Sequence, residues 1–325
     1  MTPLPIFTLL PTNTQLWNLK EFIQFLINHL GQAIQINTNS EGPSLDTIGV
    51  YQLLDQFGYT DVRISTNNLI ETHNKFQIVH PCPFRFFTVD KRDYSIYHTW
   101  NYKKIFGCFY NRPLWYRIGL AATLQHDYSQ QSLINIRCNP TDPNQRSLFE
   151  IQQLFNYHPN SLTKFISVAK QWPLQLERND GYTLYNHTTG HTDQLTSFYP
   201  EFLIDIVAET WTAGRTFFPT EKTTRPILLK KPFIIFGSKD YLDYLHQMGF
   251  KTFCEFWPED YDGFAEKDRY LKIINLIDTL SKKSIIELQD IYIKMQKILD
   301  HNYNLLITGN FNTNIKYINN LEYAD

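Results

Sequence analysis

The stretch FLIDIVAET, residues 202–210, decides the fold, because its nearly continuous apolar run is typical of a parallel strand covered on both faces. A second strand, PFIIFG at 232–237, follows after a short predicted helix, and SKDYLDYLHQMG at 238–249 predicts a further helix. FKTFCEF at 250–256 then predicts the next strand. Strands that alternate with helices in this way predict a doubly wound, Rossmann-like α/β domain.

The same alternation extends upstream of this stretch. KKIFGCFYN at 103–111 predicts a buried strand, RPLWYRIGLAATLQ at 112–125 a helix, and SLINIRC at 132–138 a second strand. The Rossmann-like domain is therefore predicted to cover residues 103–280. The amphipathic pattern of residues 281–325 predicts C-terminal helices that pack back on the domains.

Residues 1–102 predict a smaller α/β domain. Apolar residues recur at helical spacing in 15–31 and 44–57, and two short strands are predicted at 61–66 and 76–81. Because 325 residues exceed what one small core holds, two α/β domains of ordinary size fit the length.

Composition limits the partners and the compartment. The net charge of −2 offers no general basic surface for nucleic acid or an anionic membrane, although a local basic cleft remains open. The four widely spaced cysteines predict neither a zinc site nor a disulfide framework. Because no apolar stretch approaches the roughly 20 residues of a membrane span and the N-terminus lacks a basic signal region, we expect a soluble, cytoplasmic protein.

Charged residues follow the strand 202–210, at the edge where open α/β sheets bind their ligands. Glu209 lies where the strand ends, and Thr220, Glu221 and Lys222 lie in the loop before the next helix. These four residues are therefore the first candidates for a binding site.

The start of that helix is constrained by Pro226. In a helix interior, proline removes a hydrogen bond and clashes with the preceding turn, so we expect the helix to begin no earlier than Thr223 or Thr224. Glu221 and Lys222 would then lie at the mouth of the helix, where free N–H groups and the helix dipole favour an anion.

Two interpretations of this pair remain open. Lys222 can supply a positive charge to a diphosphate, while Glu221 accepts hydrogen bonds from ribose or sugar hydroxyls. Alternatively, Glu221 interacts with the helix dipole and Lys222 is solvated.

Three arginines follow strands at the same predicted sheet edge. Arg112 and Arg117 flank the start of the helix after 103–111, and Arg137 ends the strand at 132–138. Guanidinium groups suit bidentate recognition of phosphate, and surface salt bridges are the alternative.

Other motifs argue against several chemistries. The chain has no GxxxxGK[ST], GxGxxG or GxSxG, which argues against P-loop, dinucleotide-binding and α/β-hydrolase chemistry. His187 and His191 are four residues apart in a loop with no third ligand evident, so no metal site is predicted. EDYD at 259–262 is predicted to be a solvated loop rather than a metal motif.

The segments FLIDIVAET and FFPTEKTTRPILLKKPFIIFGS resemble the nucleotide-sugar-binding half of the α1,3-fucosyltransferases, which are inverting enzymes of GT-B fold. That family shows an apolar strand ending in glutamate, then Thr-Glu-Lys, a helix and another apolar strand. KKIFGCFYNRPLWYRIGLAATL is similar to the strand, arginine-bearing turn and helix that open the same domain. The resemblance covers roughly residues 103–270, and related viral and bacterial glycosyltransferase-like proteins share the order of these runs.

The resemblance implies roles for individual residues. Glu221 and Lys222 match the pair that contacts ribose and diphosphate, Arg117 matches an arginine that neutralises the diphosphate, and Glu209 matches the strand-end glutamate. Thr210 stands where the family usually has asparagine, and the loop from Glu209 to Glu221 is longer, so the resemblance does not identify the sugar.

The sequence therefore predicts a metal-independent and inverting glycosyltransferase of GT-B-like fold, with two Rossmann-like domains facing a cleft and no cofactor besides its nucleotide-diphosphate sugar donor. The acceptor hydroxyl would belong to a glycan, a protein or a modified base. The first domain would supply the base that deprotonates it. The candidates for that base, none of them preferred, are Asp46, Glu71, His80 and Asp90.

Two alternatives remain open. In the first, the same transfer acts on modified DNA bases. In the second, the protein is a non-catalytic nucleotide-binding or interaction protein that keeps the fold without turnover.

Overall fold

The computed structural model describes residues 3–10, 17–38, 42–80, 94–136, 145–176, 184–186, 191–193 and 195–310. Within them the chain forms two four-stranded parallel sheets and one antiparallel pair of short strands. The predicted α/β class is confirmed.

The first sheet is formed by strands β1 to β4 in chain order, and all neighbours are parallel. Helix α1 lies between β1 and β2, and helix α2 lies between β2 and β3. Both helices fall within the predicted ranges. The bounds are Ile6–Thr8 (β1), Leu19–Asn28 (α1), Ile34–Asn37 (β2), Val50–Gln56 (α2), Val62–Ser65 (β3) and Gln77–Val79 (β4).

The second sheet has the order β10-β9-β5-β6 and is also parallel throughout. Every residue of the central strand β9 and of the edge strand β10 is buried, which confirms the expectation that these strands are covered on both faces. The bounds are Lys104–Tyr110 (β5), Ser132–Ile136 (β6), Leu184–Asn186 (β7) and His191–Asp193 (β8) for the antiparallel pair, Phe202–Ala208 (β9) and Phe233–Phe236 (β10).

Eight helices accompany the second sheet in the described residues. Helix α3 connects β5 to β6, and α6 connects β9 to β10. Their bounds are Trp115–Tyr128 (α3), Gln145–Tyr157 (α4), Pro159–Val168 (α5), Glu221–Leu228 (α6), Tyr241–Gln247 (α7), Glu266–Ser281 (α8), Ile285–Lys294 (α9) and Gln296–Thr308 (α10).

The strand order of the second sheet reverses next to β5. From β5 the chain moves outward to β6, and it later returns to the other side of β5 as β9. In open parallel sheets, ligands bind beyond the carboxyl ends of the strands at such a reversal. The fold therefore directs attention to the residues that follow β5 and β9.

Two hydrophobic cores accompany the two sheets. The first contains apolar residues from Leu9 to Phe76, and the second contains residues from Ile70 to Leu306. Helices α9 and α10 contribute to the second core through Leu288, Met295, Leu299 and Leu306. Residues 94–100 also pack there, through Tyr94, Tyr97 and Trp100.

The predicted strand at 250–256 is wrong, because this segment is not part of a sheet in the structure. The side chain of Asn302 in α10 accepts from the Lys251 N–H at 2.8 Å and donates to the Lys251 carbonyl at 2.8 Å. The Glu259 carboxylate accepts from the Phe253 N–H at 2.9 Å. Side chains thus take the hydrogen bonds that a neighbouring strand would make.

The predicted start of α6 is also wrong, because the helix begins at Glu221 and contains Pro226 in its interior. Thr220 caps it, since its hydroxyl accepts from the Lys222 N–H at 3.2 Å. Proline in a helix interior costs about 3 kcal/mol. The Thr220 cap, which Glu209 anchors to the end of β9, acts against that cost.

Candidate functional site

The two units meet where the carboxyl end of β3 faces the loop after β9. The side-chain amide of Asn68 donates to the Arg215 carbonyl at 2.9 Å, and its oxygen accepts from the Phe217 N–H at 2.8 Å. The Leu69 N–H donates to the Phe217 carbonyl at 2.9 Å. The segment 210–219, here called the junction loop, therefore lies between the carboxyl ends of the two sheets.

The junction loop packs tightly against the first unit. The Gly214 backbone has φ +68°, and a Cβ there would lie 2.1 Å from the Thr47 hydroxyl oxygen. A Cβ on Gly42 would lie 2.6 Å from the Phe218 ring. A side chain at Gly42 would force the Phe218 ring to shift, and one at Gly214 would be strained by the positive φ and would displace Thr47.

A buried arginine anchors the junction loop on the second unit. Arg269 of α8 is 1% exposed and donates to the Thr212 carbonyl at 3.1 Å and to the Phe264 carbonyl at 2.7 Å. The Thr212 hydroxyl donates to Glu266 of the same helix. Sequence reasoning missed Arg269, although an arginine on the apolar face of an amphipathic helix was a detectable signal.

Glu209, at the carboxyl end of β9, is fully buried and accepts four hydrogen bonds. The donors are the Thr220 N–H at 3.1 Å, the Thr220 hydroxyl at 2.6 Å, the Thr223 hydroxyl at 2.6 Å and the Tyr241 hydroxyl at 3.3 Å. This carboxylate thus joins the end of β9 to the first turns of α6 and α7.

Glu221 and Lys222 lie together at the N-terminus of α6, as the sequence predicts. The Lys222 ammonium donates to Glu221 Oε1 at 2.8 Å and to Thr220 Oγ1 at 3.1 Å. The Lys222 side chain is 16% exposed and that of Glu221 is 48% exposed. Partial desolvation acts to raise the pKa of Glu221, but Lys222 and Arg225 lower it to about 2, so Glu221 is ionised.

Arg117 lies at the predicted sheet edge, but its guanidinium group is buried. Nε and Nη2 donate to the Ala208 carbonyl at 3.2 and 2.8 Å, and the group lies 5.8 Å from the Tyr116 ring centroid. The Tyr116 hydroxyl donates to the Glu209 carbonyl at 2.6 Å. Helix α3 therefore binds the Ala208 and Glu209 carbonyls at the end of β9. A contact between Arg117 and the nucleotide-sugar donor stays a prediction.

Arg112 is exposed in the turn after β5. The N-terminus of α3 beside it already binds an anionic group, because the buried Glu150 carboxylate of α4 accepts from the Trp115 N–H at 2.8 Å. A phosphate at this helix start would compete with Glu150. Sequence reasoning missed Glu150, although it occupies the same buried face of α4 as Leu154.

In the first unit, Glu71 is the buried carboxyl nearest the junction loop. It accepts from the Tyr51 hydroxyl at 2.7 Å, the Asn68 amide at 2.6 Å and the Leu45 N–H at 3.3 Å. Burial raises the pKa of Glu71, against these hydrogen bonds. A carboxyl with a raised pKa suits a general base if a substrate displaces one of its donors.

The other candidate bases differ in position. His80 follows β4, its Nδ1 lies 3.4 Å from the Thr66 carbonyl, and burial lowers its pKa. Asp46 is exposed. Asp90 lies outside the described residues, as do Arg137 and His187.

The prediction of a solvated loop for EDYD is wrong for Asp262, which is 6% exposed. Its Oδ2 accepts from the Leu242 N–H at the start of α7 at 2.7 Å. Asp260 is exposed and pairs with Lys272 at 2.5 Å. No group of three His, Cys, Asp or Glu side chains is arranged to hold a metal ion within the described part of the chain.

Comparison with family models finds no match, and comparison with curated proteins finds no similar protein. In the described ranges no helix combines the length and the apolar character that crossing a membrane requires. Function is therefore inferred from the sequence and the geometry of this chain.

Proposed function

We propose that the protein is a glycosyltransferase of GT-B type, which binds a nucleotide-diphosphate sugar at the carboxyl edge of the second sheet. The observation that carries the proposal is the position of Lys222 and Glu221. They lie at the start of α6, which follows the strand beside the strand-order reversal, and the junction loop that precedes them contacts the first unit. The proposal also rests on the resemblance of this stretch to the α1,3-fucosyltransferases.

In this proposal the donor diphosphate binds the Lys222 ammonium at the positive end of the α6 dipole. The ammonium has three protons, and two of them bind Glu221 and Thr220, so one remains for a phosphate oxygen. The ionised Glu221 accepts from ribose or sugar hydroxyls. Arg112, exposed after β5, adds a second positive charge on the same edge.

The reaction we propose is a direct displacement. The acceptor oxygen forms a bond to the anomeric carbon while the bond from that carbon to the diphosphate breaks, and the diphosphate leaves with the electron pair. The acceptor proton passes to a base on the first unit. Glu71 and His80 are candidates for this base, because they follow the strands β3 and β4 at the carboxyl end of the first sheet. Lys222 and the α6 N-terminus stabilise the charge that develops on the leaving group.

Calorimetry with the diphosphates of uridine, guanosine, adenosine, cytidine and thymidine tests the donor site. We expect one of them to bind, and Lys222→Ala or Glu221→Ala to weaken it at least about tenfold, the factor for losing one hydrogen bond to a charged group. Lys294→Ala is the matched control, because Lys294 is exposed and pairs with Asp290 at 2.6 Å on α9.

Equal binding by the wild type and both variants would overturn the site. Binding of no nucleotide by a folded wild-type protein would favour a non-catalytic interaction protein instead.

A further inference from the structure

We propose that Glu209 is a positioning residue, which orients the Thr220 hydroxyl and thereby holds the Lys222 ammonium where the donor diphosphate would bind. Glu209 does not contact a ligand in this role, because its side chain is fully buried. The relevance to catalysis rests on the proposed function, whereas the orientation of Lys222 is a property of the chain itself.

The first step concerns the direction of the hydrogen bonds. A carboxylate only accepts, so every hydroxyl that reaches Glu209 must point its proton toward it. Thr220 directs its hydroxyl proton to Glu209 Oε2 at 2.6 Å, and Thr223 directs its own to Oε1 at 2.6 Å. The Tyr241 hydroxyl lies 2.8 Å from the Thr223 oxygen and 3.3 Å from Glu209 Oε1, so its one proton is shared between these two acceptors.

The second step follows from the single proton of a hydroxyl. Because the Thr220 proton is committed to Glu209, the lone pairs of Thr220 Oγ1 face the opposite side. They accept there from the Lys222 N–H at 3.2 Å and from the Lys222 ammonium at 3.1 Å. Glu209 thus acts on Lys222 through Thr220.

The third step concerns the flexibility of lysine. A free lysine side chain has four rotatable bonds, and ordering it upon ligand binding costs free energy. In this chain Thr220 and Glu221 hold the ammonium before a ligand arrives. Because the ammonium is already in place, less of the binding free energy is lost to ordering the lysine side chain.

Glu209→Gln separates positioning from a merely structural role. Glu209 Oε1 accepts from the Thr220 N–H and the Thr223 hydroxyl, so the glutamine oxygen must take that place. The glutamine NH₂ then faces Thr220 Oγ1 and donates to it. The Thr220 proton turns toward the two donors of Lys222, and the ammonium is displaced without a change in side-chain volume.

The test measures the reactivity of single lysines toward acetic anhydride by peptide mass spectrometry in the full chain. We expect Glu209→Gln to raise the acetylation rate of Lys222 about fivefold, the factor for one hydrogen bond of ordinary net strength. Lys230, just after the other end of α6 and paired with Asp300 at 2.7 Å, is the internal control for general loosening of the helix.

Two further variants keep the test informative should Glu209→Gln fold poorly. Thr220→Val removes the hydroxyl and should release Lys222, whereas Thr220→Ser retains the hydroxyl and should restore the wild-type rate. An unchanged Lys222 rate in folded Glu209→Gln or Thr220→Val protein, or an equal rise at Lys230, would overturn the positioning role.

Calorimetry on the same variants distinguishes this inference from the proposed function. If Lys222 is released and nucleoside diphosphate binding weakens in parallel, both stand. If Lys222 is released but the wild-type protein binds no nucleoside diphosphate, Glu209 positions Lys222 and the glycosyltransferase assignment fails.

Discussion

The two sheets have the same number of strands and the same parallel pairing, yet they are built differently. In β2 and β3 only alternate residues are fully buried, whereas all residues of β9 and β10 are. The first sheet keeps its chain order, and the second reverses beside β5. Because crossovers between parallel strands are right-handed, an unreversed order places successive helices on one face and a reversal places them on both.

This difference explains where charged groups are found. At the end of β9, covered on both faces, the Glu209 carboxylate must be satisfied by protein donors, and four hydrogen bonds from α6 and α7 residues do so. In β3 the charged Arg63 is exposed within the strand itself. A reversal therefore creates a crevice and also the buried surroundings that fix side chains beside it.

The largest predicted effect tests this difference in coverage. Val207→Asp in β9 should reduce the free energy of unfolding by at least about 4 kcal/mol, because it buries an unpaired carboxylate. Val207 is 3% exposed, and its neighbour Ile206 on the opposite face is 1% exposed. Arg63→Asp in β3 should cost less than about 0.5 kcal/mol.

Urea denaturation of both variants measures these costs. Similar losses in the two strands would show that β3 is as fully covered as β9, and the comparison would fail.

The apolar strands were the part of the fold most open to prediction from sequence. A run such as FLIDIVAET buries both faces, and only a central parallel strand gives both faces a partner. The placement of Glu209 at the strand end, and of Glu221 and Lys222 at the next helix start, follows from that assignment. These are local patterns, which a sequence displays directly.

Three differences from the prediction share one cause, which is a side chain from another element. Residues 250–256 have a strand-like pattern, but the side chain of Asn302, about fifty positions later, takes both backbone hydrogen bonds of Lys251. Helix α6 begins at Glu221, two residues before the earliest predicted start, because Glu209 anchors its cap. Arg117 lies at the predicted edge, yet its guanidinium group donates to the Ala208 carbonyl. Such pairings have no signature in local periodicity.

A smaller effect concerns the pH dependence of the free energy of unfolding, to which the buried carboxyls of the two units should contribute differently. Burial raises the pKa of Asp262 to about 8, against the Leu242 N–H and Arg269, which favour the charged form. Below that pH the folded carboxyl keeps a proton that the unfolded chain loses near pH 4, at about the ordinary value for aspartate. The free energy of unfolding should therefore fall as pH rises through this window, by about 2 to 3 kcal/mol between about pH 6 and about pH 8.

Urea denaturation across this range checks the slope. Asp262→Asn should flatten it, because an amide does not titrate. Glu71→Gln is the counterpart in the first unit, where burial also raises the pKa of the carboxyl, and it should flatten the slope less. An unchanged slope in Asp262→Asn would mean that Asp262 is ionised in the folded protein at neutral pH.

The smallest predicted effect concerns the junction between the two sheets. Asn68→Ala removes the hydrogen bonds to the Arg215 carbonyl and the Phe217 N–H, and it leaves one donor of Glu71 missing. We expect a loss of about 1 to 2 kcal/mol, since buried groups are left unpaired without a large cavity. Asn28→Ala, at an exposed position of α1, is the control and should be nearly neutral.

Hydrogen exchange decides whether Asn68 joins the units or supports only its own sheet. If it joins them, exchange in Asn68→Ala should rise at Phe217 and neighbouring amides of the junction loop while the central strand β2 stays protected. A rise confined to the first unit would mean that the glycine contacts at Gly42 and Gly214 are sufficient to hold the loop. The carboxyl ends of the two sheets would then be aligned by this close packing and by the hydrogen bond from the Leu69 N–H to the Phe217 carbonyl, without the Asn68 side chain.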